Sequence, residues 1–232
     1  MRSKIKRILI YLALLFTACS TGFDRGELKQ RLEANSLEIT NRDIKEALDL
    51  KPQLSLPFKL AVFLLDDNPQ SYSHPKGASD RASEWRWDVA DKETIVAWGE
   101  QLKTEGILSD MFVISEMIKH GNSLIDIRQA AALQGADAVL VLSGVTDIDR
   151  YQNVAAALYI TIVGTYFIPG THIDSLFIMN GALWDVRNQY LYLAAESEGI
   201  GSTLGPLSLV KSKPAISAAK KNAIESFRPE FL

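Results

Sequence analysis

Apolar residues in this chain fall into short runs whose period changes along its length, and each change marks an element. Lys59 to Leu65 (KLAVFLL) is apolar at nearly every position and is bounded by Pro57 and by Asp66-Asp67-Asn68-Pro69. Such a run predicts a central strand buried on both faces. A helix is expected from Asp91 to Glu105, capped by Asp91, with Ile95, Trp98 and Leu102 on one face and Gly106 as its stop. Met111 to Ile118 suits a second strand. Ser123-Leu124-Ile125-Asp126 has the form of a capping box opening a helix that ends at Gly135, with Leu124, Ile127 and Ala131 on one face. Ala138 to Leu142 (AVLVL) is a third buried strand.

Beyond this β-α-β-α-β run the pattern changes. Leu158, Ile160, Ile162, Gly164, Tyr166 and Ile168 alternate with Tyr159, Thr161, Val163, Thr165 and Phe167, which predicts a strand with one apolar face lying on a core. A lipid-facing barrel strand is the rival reading of the same alternation. Leu176 to Val186 and Tyr190 to Ser197 read as two more strands joined by a tight hairpin at Arg187-Asn188-Gln189. Pro214 suits the first turn of a last helix with the stripe Ile216, Ala219, Ala223 and Phe227. Upstream, two short helices are expected before Pro52 and Pro57. The second of these has Thr40 and Asp43 at its start and a stripe of Ile44, Ala47 and Leu48. Residues 66–90 form the one long loop. Together these elements predict an α+β domain: a two-layer mixed sheet, β-α-β-α-β followed by an antiparallel meander and a C-terminal helix.

The chain's first residues follow a different rule. Arg2, Lys4, Lys6 and Arg7 precede nine apolar residues, Ile8 to Phe16, and then small ones. That is the layout of an export signal, and the run is too short for the ~20 helical residues that cross a bilayer. The sole cysteine sits at the junction Phe16-Thr17-Ala18-Cys19. This resembles the lipobox of bacterial lipoproteins, although Phe16 stands where that family has Leu. The resemblance implies removal of residues 1–18 and acylation of Cys19; a buried apolar thiol is the plainer alternative. Three acyl chains at ~0.8 kcal/mol per methylene would hold a protein to a membrane almost irreversibly. Ser20, in place of Asp, implies by the same resemblance the outer membrane, with the domain in the periplasm. Residues 19–53 then form a lipidated tether and N-terminal helices, and residues 54–232 a single domain.

Composition narrows the function classes. Of 232 residues 47% are apolar and 23% charged, as in ordinary globular chains. One cysteine cannot form an intrachain disulfide or a cysteine-rich zinc site. The formal charge of −3 includes the leader; without it 21 basic face 28 acidic side chains, a net of −7, which disfavours a nucleic-acid partner.

Ile127 to Val145 (IRQAAALQGADAVLVLSGV) resembles the helix, Gly-Ala-Asp and strand of envelope lipoproteins such as the curli-secretion lipoprotein. Ala182 to Ser202 (ALWDVRNQYLYLAAESEGIGS) resembles the strand, turn, strand and glycine-rich ending of that group. Tyr159 to Gly170 (YITIVGTYFIPG), joined to that hairpin, is similar to the rhombosortase-associated (rhombotail or rhombotarget) lipoproteins. The resemblance spans Leu54 to Phe227 and implies an envelope lipoprotein with a CsgG-like or TolB-N-like sheet. It brings no active site. Within it, Gly135 permits the left-handed turn that ends a helix, and Asp137 is placed to accept backbone amides before the strand.

Candidate chemistry is sparse. His74, His120 and His172 lack metal-ligand spacing, so no metal is expected. Asp147 with Asp149, and Glu196 with Glu198, each set two carboxylates on one side of an extended chain, for cation binding, acid–base work or simple solvation. Ser73 to Lys76 and Ser208 to Lys211 match S-x-x-K by spacing alone, without its companion motifs. Gly199, Gly201 and Gly205 read as a flexible turn and not as a phosphate loop, since no helix start follows them. Trp85 and Trp87, two apart around Arg86, point to one side and form a candidate interaction surface, with Tyr151 a weaker member. Folding of the two indoles back onto the sheet is the competing reading.

The expected function is therefore a non-enzymatic, membrane-anchored periplasmic lipoprotein, an interaction or accessory component of the cell envelope. Its partners would be the membrane, through the lipid, and an envelope protein; no cofactor is expected. A subunit of an oligomeric outer-membrane secretion complex and a cell-wall or lipid hydrolase using the paired acids are the alternatives.

Overall fold

A computed structural model of the chain describes residues 22–34, 44–65, 85–115, 118, 121 and 123–232. The leader, Cys19, Thr40, Asp43, His74, His120, the Ser73 to Lys76 motif and most of the long loop fall outside these residues.

Two short helices come first, α1 (Arg25–Ala34) and α2 (Ile44–Asp49), then β1 (Phe58–Leu64), α3 (Val89–Thr104), β2 (Leu108–Val113), α4 (Leu124–Leu133) and β3 (Ala138–Gln152). A 3-10 segment (Val154–Ile160) and α5 (Ile162–Phe167) lead to β4 (Thr171–Asp185), β5 (Leu191–Gly205) and α6 (Lys213–Phe231). The strands form one mixed sheet in the order β2-β1-β3-β4-β5. β1 runs parallel to both β2 and β3, while β4 is antiparallel to its neighbours β3 and β5. The α+β class, the crossover order, the meander and the last helix are as expected.

The layering is richer than two layers. Leu60, Val62 and Leu64 of β1 face α3 and α6, whereas Ala61 and Phe63 face α4. A strand apolar at every position needs cover on both faces, so the sheet becomes the middle layer.

Local signals explain most boundaries. Ser123 and Asp126 form the expected reciprocal capping box of α4, and Gly135 ends that helix at φ +73°. For α3 the cap is Asp88, not Asp91. Asp88 accepts the Asp91 amide at 3.0 Å, and the Asp91 carboxylate accepts the Asp88 amide at 2.9 Å. The second strand begins at Leu108 instead of Met111. Phe58 N–H donates to Ile107 O and Ile114 N–H to Val62 O, so pairing with β1 starts directly after the helix stop and the chain leaves the sheet at Ile114. Ala47 and Leu48 are exposed, Leu48 by 80%, so these two members of the stripe read into α2 are not buried.

The largest departure concerns residues 158–168, which form no strand: they hold the end of the 3-10 segment and α5. β3 and β4 pair with each other over their full length, from Ala138↔Asp185 to Gln152↔Thr171, so this segment is the connection between two strands that already satisfy each other. Asn153 Oδ1 caps the 3-10 turn through Ala155 N–H, and Thr161 Oγ1 caps α5 through Gly164 N–H at 3.0 Å. Leu158, Ile160, Val163 and Phe167 are exposed, so the core reading of Leu158 to Ile168 also fails.

Gly199 and Gly201 are not a turn either. They lie inside β5, where α6 crosses so closely that a Cβ on Gly199 would stand 2.1 Å from Ala219 O, and one on Gly201 would stand 2.1 Å from Ala215 O. Above them Ile216, Ala219, Ala223 and Phe227 are buried, the stripe expected of α6.

Candidate functional site

The two acid pairs define the most elaborate polar arrangement among the described residues. Successive side chains of a strand alternate between faces, so Val145, Asp147 and Asp149 of β3 share one face of the sheet. Glu196 and Glu198, opposite Asn180 and Ile178 of β4, lie on that same face. Helix α1 rests there. Leu28 and Leu32 are fully buried against Val145, Leu176 and Ile178, with Phe23 alongside. Burying two leucines contributes about 1.5–3 kcal/mol each.

Every carboxylate of the two pairs is engaged by this N-terminal segment. Gly22 N–H donates to Asp149 Oδ2 at 3.1 Å and Asp24 N–H to Asp147 Oδ2 at 3.3 Å. Arg25 donates from Nε and Nη2 to Glu198, and Lys29 pairs with Glu196 at 2.9 Å. Arg31 Nη1 donates to Thr146 O at 3.1 Å. The hydrogen bond and the charge of Glu196 raise the Lys29 pKa. The pairs therefore act as a clamp on residues 22–31. The sequence showed the carboxylates but not their partners, more than a hundred residues upstream; the spacing of Arg25 and Lys29 on one helix face was the signal available.

Beyond the clamp, Tyr151 is half-buried and stacks on His172, ring centroids 5.1 Å apart and planes 3° from parallel. Its hydroxyl donates to Asp174 Oδ2 at 3.0 Å, and this bond, with burial, raises its pKa. Asn153 Nδ2 lies 3.2 Å from His172 Nε2. These contacts fix the base of the 153–170 connection.

Trp85 and Trp87 do share a side, as their spacing required, but it is the inner one. They are only 4% and 7% exposed, with Trp85 edge-on to Phe177 at 4.7 Å and to Trp87 at 5.2 Å. Trp87 Nε1 donates to Leu65 O at 2.9 Å. Arg86 is exposed, and its carbonyl accepts from the buried Lys220 at 2.8 Å. The candidate surface of Trp85, Arg86, Trp87 and Tyr151 is therefore not an open cleft: apolar strand faces need covering, and the indoles cover one. Lys220 also pairs with Asp88, at 3.3 Å, and with Asp91. Burial raises the Asp91 pKa against that pairing. This cluster joins the start of α3 to α6.

Asp137 plays the positioning part read for it. Its Oδ2 accepts Lys59 N–H at 3.0 Å, and its Oδ1 pairs with Arg187 in the turn between β4 and β5. A 440 Å³ cavity is floored by Val141, Ser143, Ala182 and Ala194 and bordered by Trp184 and Glu196. Trp184 Nε1 has no hydrogen-bond partner among the described residues. No described helix is long and apolar enough to cross a membrane.

No known protein family matches the sequence, and no curated protein does. Among solved structures, a PelC dodecamer from Paraburkholderia phytofirmans is 17% identical over 77% of this chain and 91% of its own, with a TM-score of 0.31. Lipoprotein GNA1162 from Neisseria meningitidis is 14% identical over 68% of this chain and 89% of its own, at 0.32. The hypothetical protein CT253 from Chlamydia trachomatis is 12% identical over 62% and 73%, at 0.29. At such TM-scores these likenesses bear on neither the activity nor the partners of this chain.

Proposed function

We propose that this chain is a lipid-anchored protein of the bacterial envelope: exported by residues 1–18, acylated at Cys19, retained at the outer membrane, and serving in the periplasm as a non-catalytic docking or accessory component. The observation that carries this reading is the clamp. Gly22 and Asp24 are bound to Asp149 and Asp147, so the chain is held to the domain at a defined place only three residues after Cys19. An anchor attached so close to a fixed exit point orients the whole body towards the membrane. A long flexible tether would not.

The same contacts weigh against hydrolase chemistry. A carboxylate acting as general acid or base must reach the substrate. All four paired acids instead hold backbone amides or cations of residues 22–29. The test is metabolic labelling with a clickable palmitate analogue followed by fractionation. Label on the wild-type chain and none on Cys19→Ser, which leaves the membrane fraction, is the expected result. A wild-type chain that carries no label overturns the reading.

A further inference from the structure

The apolar side chains of the β3–β4 connection are not scattered. Val154, Ile160, Val163 and Phe167 project from the 3-10 turn and α5, with Ile160 91% and Phe167 75% exposed. Leu204 and Leu209, from the end of β5 and the turn after it, join them at the same end of the sheet. There Thr171 pairs with Gly205, and Ser208 N–H donates to Thr165 O at 3.1 Å. Both stretches lack charge: residues 151–173 and 199–210 contain no Asp, Glu, Lys or Arg. So many exposed large apolar side chains gathered at one end of a sheet mark a contact with something apolar.

The connection is also held in shape. Tyr159 Oη lies 3.1 Å from both Ile168 O and Thr171 Oγ1, and it accepts Gly170 N–H at 2.8 Å.

We infer that this uncharged end of the sheet is a membrane-contacting platform whose apolar side chains enter the leaflet to which Cys19 is anchored. The inference rests on the lipid-anchored reading above. What selects a bilayer as the occupant is where the anchored segment leaves the domain. Cys19 lies three residues before Gly22, a reach of at most about 11 Å. Gly22 is bound to Asp149, which is three strand residues, about 10 Å, from the Gln152 end of β3. Acyl chains rooted there bring the platform to the lipid surface, and no charged side chain in either stretch would have to be dehydrated. The short helices lie in the interface; they do not span it.

Because Cys19 is the only native cysteine and would be acylated, a second cysteine can be labelled selectively in the full chain. We would place an environment-sensitive fluorophore at Ile160→Cys, at Phe167→Cys or at Leu133→Cys. Leu133 is an exposed control beyond the opposite end of β3. The acylated protein would be reconstituted into phosphatidylethanolamine–phosphatidylglycerol vesicles carrying a shallow doxyl lipid. Interfacial helices seat their apolar face ~5–10 Å below the headgroups, so quenching severalfold stronger at positions 160 and 167 than at 133 is expected. Equal quenching at all three positions, with palmitate label present, overturns the platform and leaves the anchor intact. A blue shift at 160 and 167 without lipid quenching assigns the patch to a second copy or another protein and also overturns it. Absence of palmitate label removes the anchored reading and this inference with it.

Discussion

Gly22 N–H and Asp149 Oδ2 meet at 3.1 Å across 127 positions of sequence, and that contact fixes the first described residue of the chain against β3. A second amide on Asp147 and two ion pairs on Glu196 and Glu198 extend it into a clamp on α1. The carboxylates and the buried leucines do different work. The leucines are non-directional and contribute by burial, whereas the directional polar contacts set the register of the segment along the sheet.

Asp147→Ala combined with Asp149→Ala should loosen the N-terminal segment without unfolding the sheet. Each lost hydrogen bond is worth about 0.5–1.5 kcal/mol. Hydrogen exchange should show faster amide exchange over residues 22–32, while protection in β1 and β3 stays unchanged. Leu28→Ala should go further, because truncating a fully buried leucine costs about 2–5 kcal/mol, and α1 should become the first element cut in limited proteolysis.

Trp85→Ala should behave as a core mutation. Loss of a buried tryptophan costs about 3–5 kcal/mol, to be read as a lower urea midpoint. A substitution that left stability unchanged and abolished binding to an envelope partner would restore the interaction-surface reading instead.

Gly199→Ala should separate β5 from α6. The added methyl meets Ala219 O and Ala223 N, backbone atoms that cannot swing aside, so the expected loss is about 1–3 kcal/mol or more. Ala218→Ser, on an exposed position of α6, is the matched control and should stay within about 0.5 kcal/mol of wild type.

Asp137 provides a pH signature. The Lys59 amide and the Arg187 guanidinium hold its pKa below the ordinary carboxylate value of 3.8, against the opposing effect of burial. A pKa lowered on folding means that the native state binds the proton more weakly than the unfolded chain. The stabilisation is therefore complete above the unfolded pKa and fades as pH falls through the lowered folded one. Denaturation of wild type and Asp137→Asn should differ by a constant amount at neutral pH, and the difference should shrink only once pH falls below the ordinary carboxylate value and through the lowered one.

Much of this architecture was legible in the sequence because its determinants are local. The KLAVFLL run, the Ser123–Asp126 box and the small-residue stripe of α6 each carry their own structure. Residues 158–168 did not, because an alternating pattern becomes a strand only where a neighbouring edge is free. The continuous pairing of β3 with β4 makes the segment a connection at the end of two strands that already pair with each other, away from the free edges of β2 and β5. Gly199 and Gly201 misled for a similar reason, since only the closeness of α6 explains them. The Arg25 and Lys29 spacing hinted at a charged contact, but it could not name the acids engaged, because residues 22–29 and those acids stand more than a hundred residues apart.

The measurement that bears most directly on the whole account is the intact mass of the protein purified from native membranes, with sequencing of its N-terminal peptide. The account predicts a chain starting at Cys19 whose excess mass equals a diacylglyceryl thioether plus an amide-linked acyl chain. A chain that retains residues 1–18, or one with an unmodified Cys19 thiol, would contradict it.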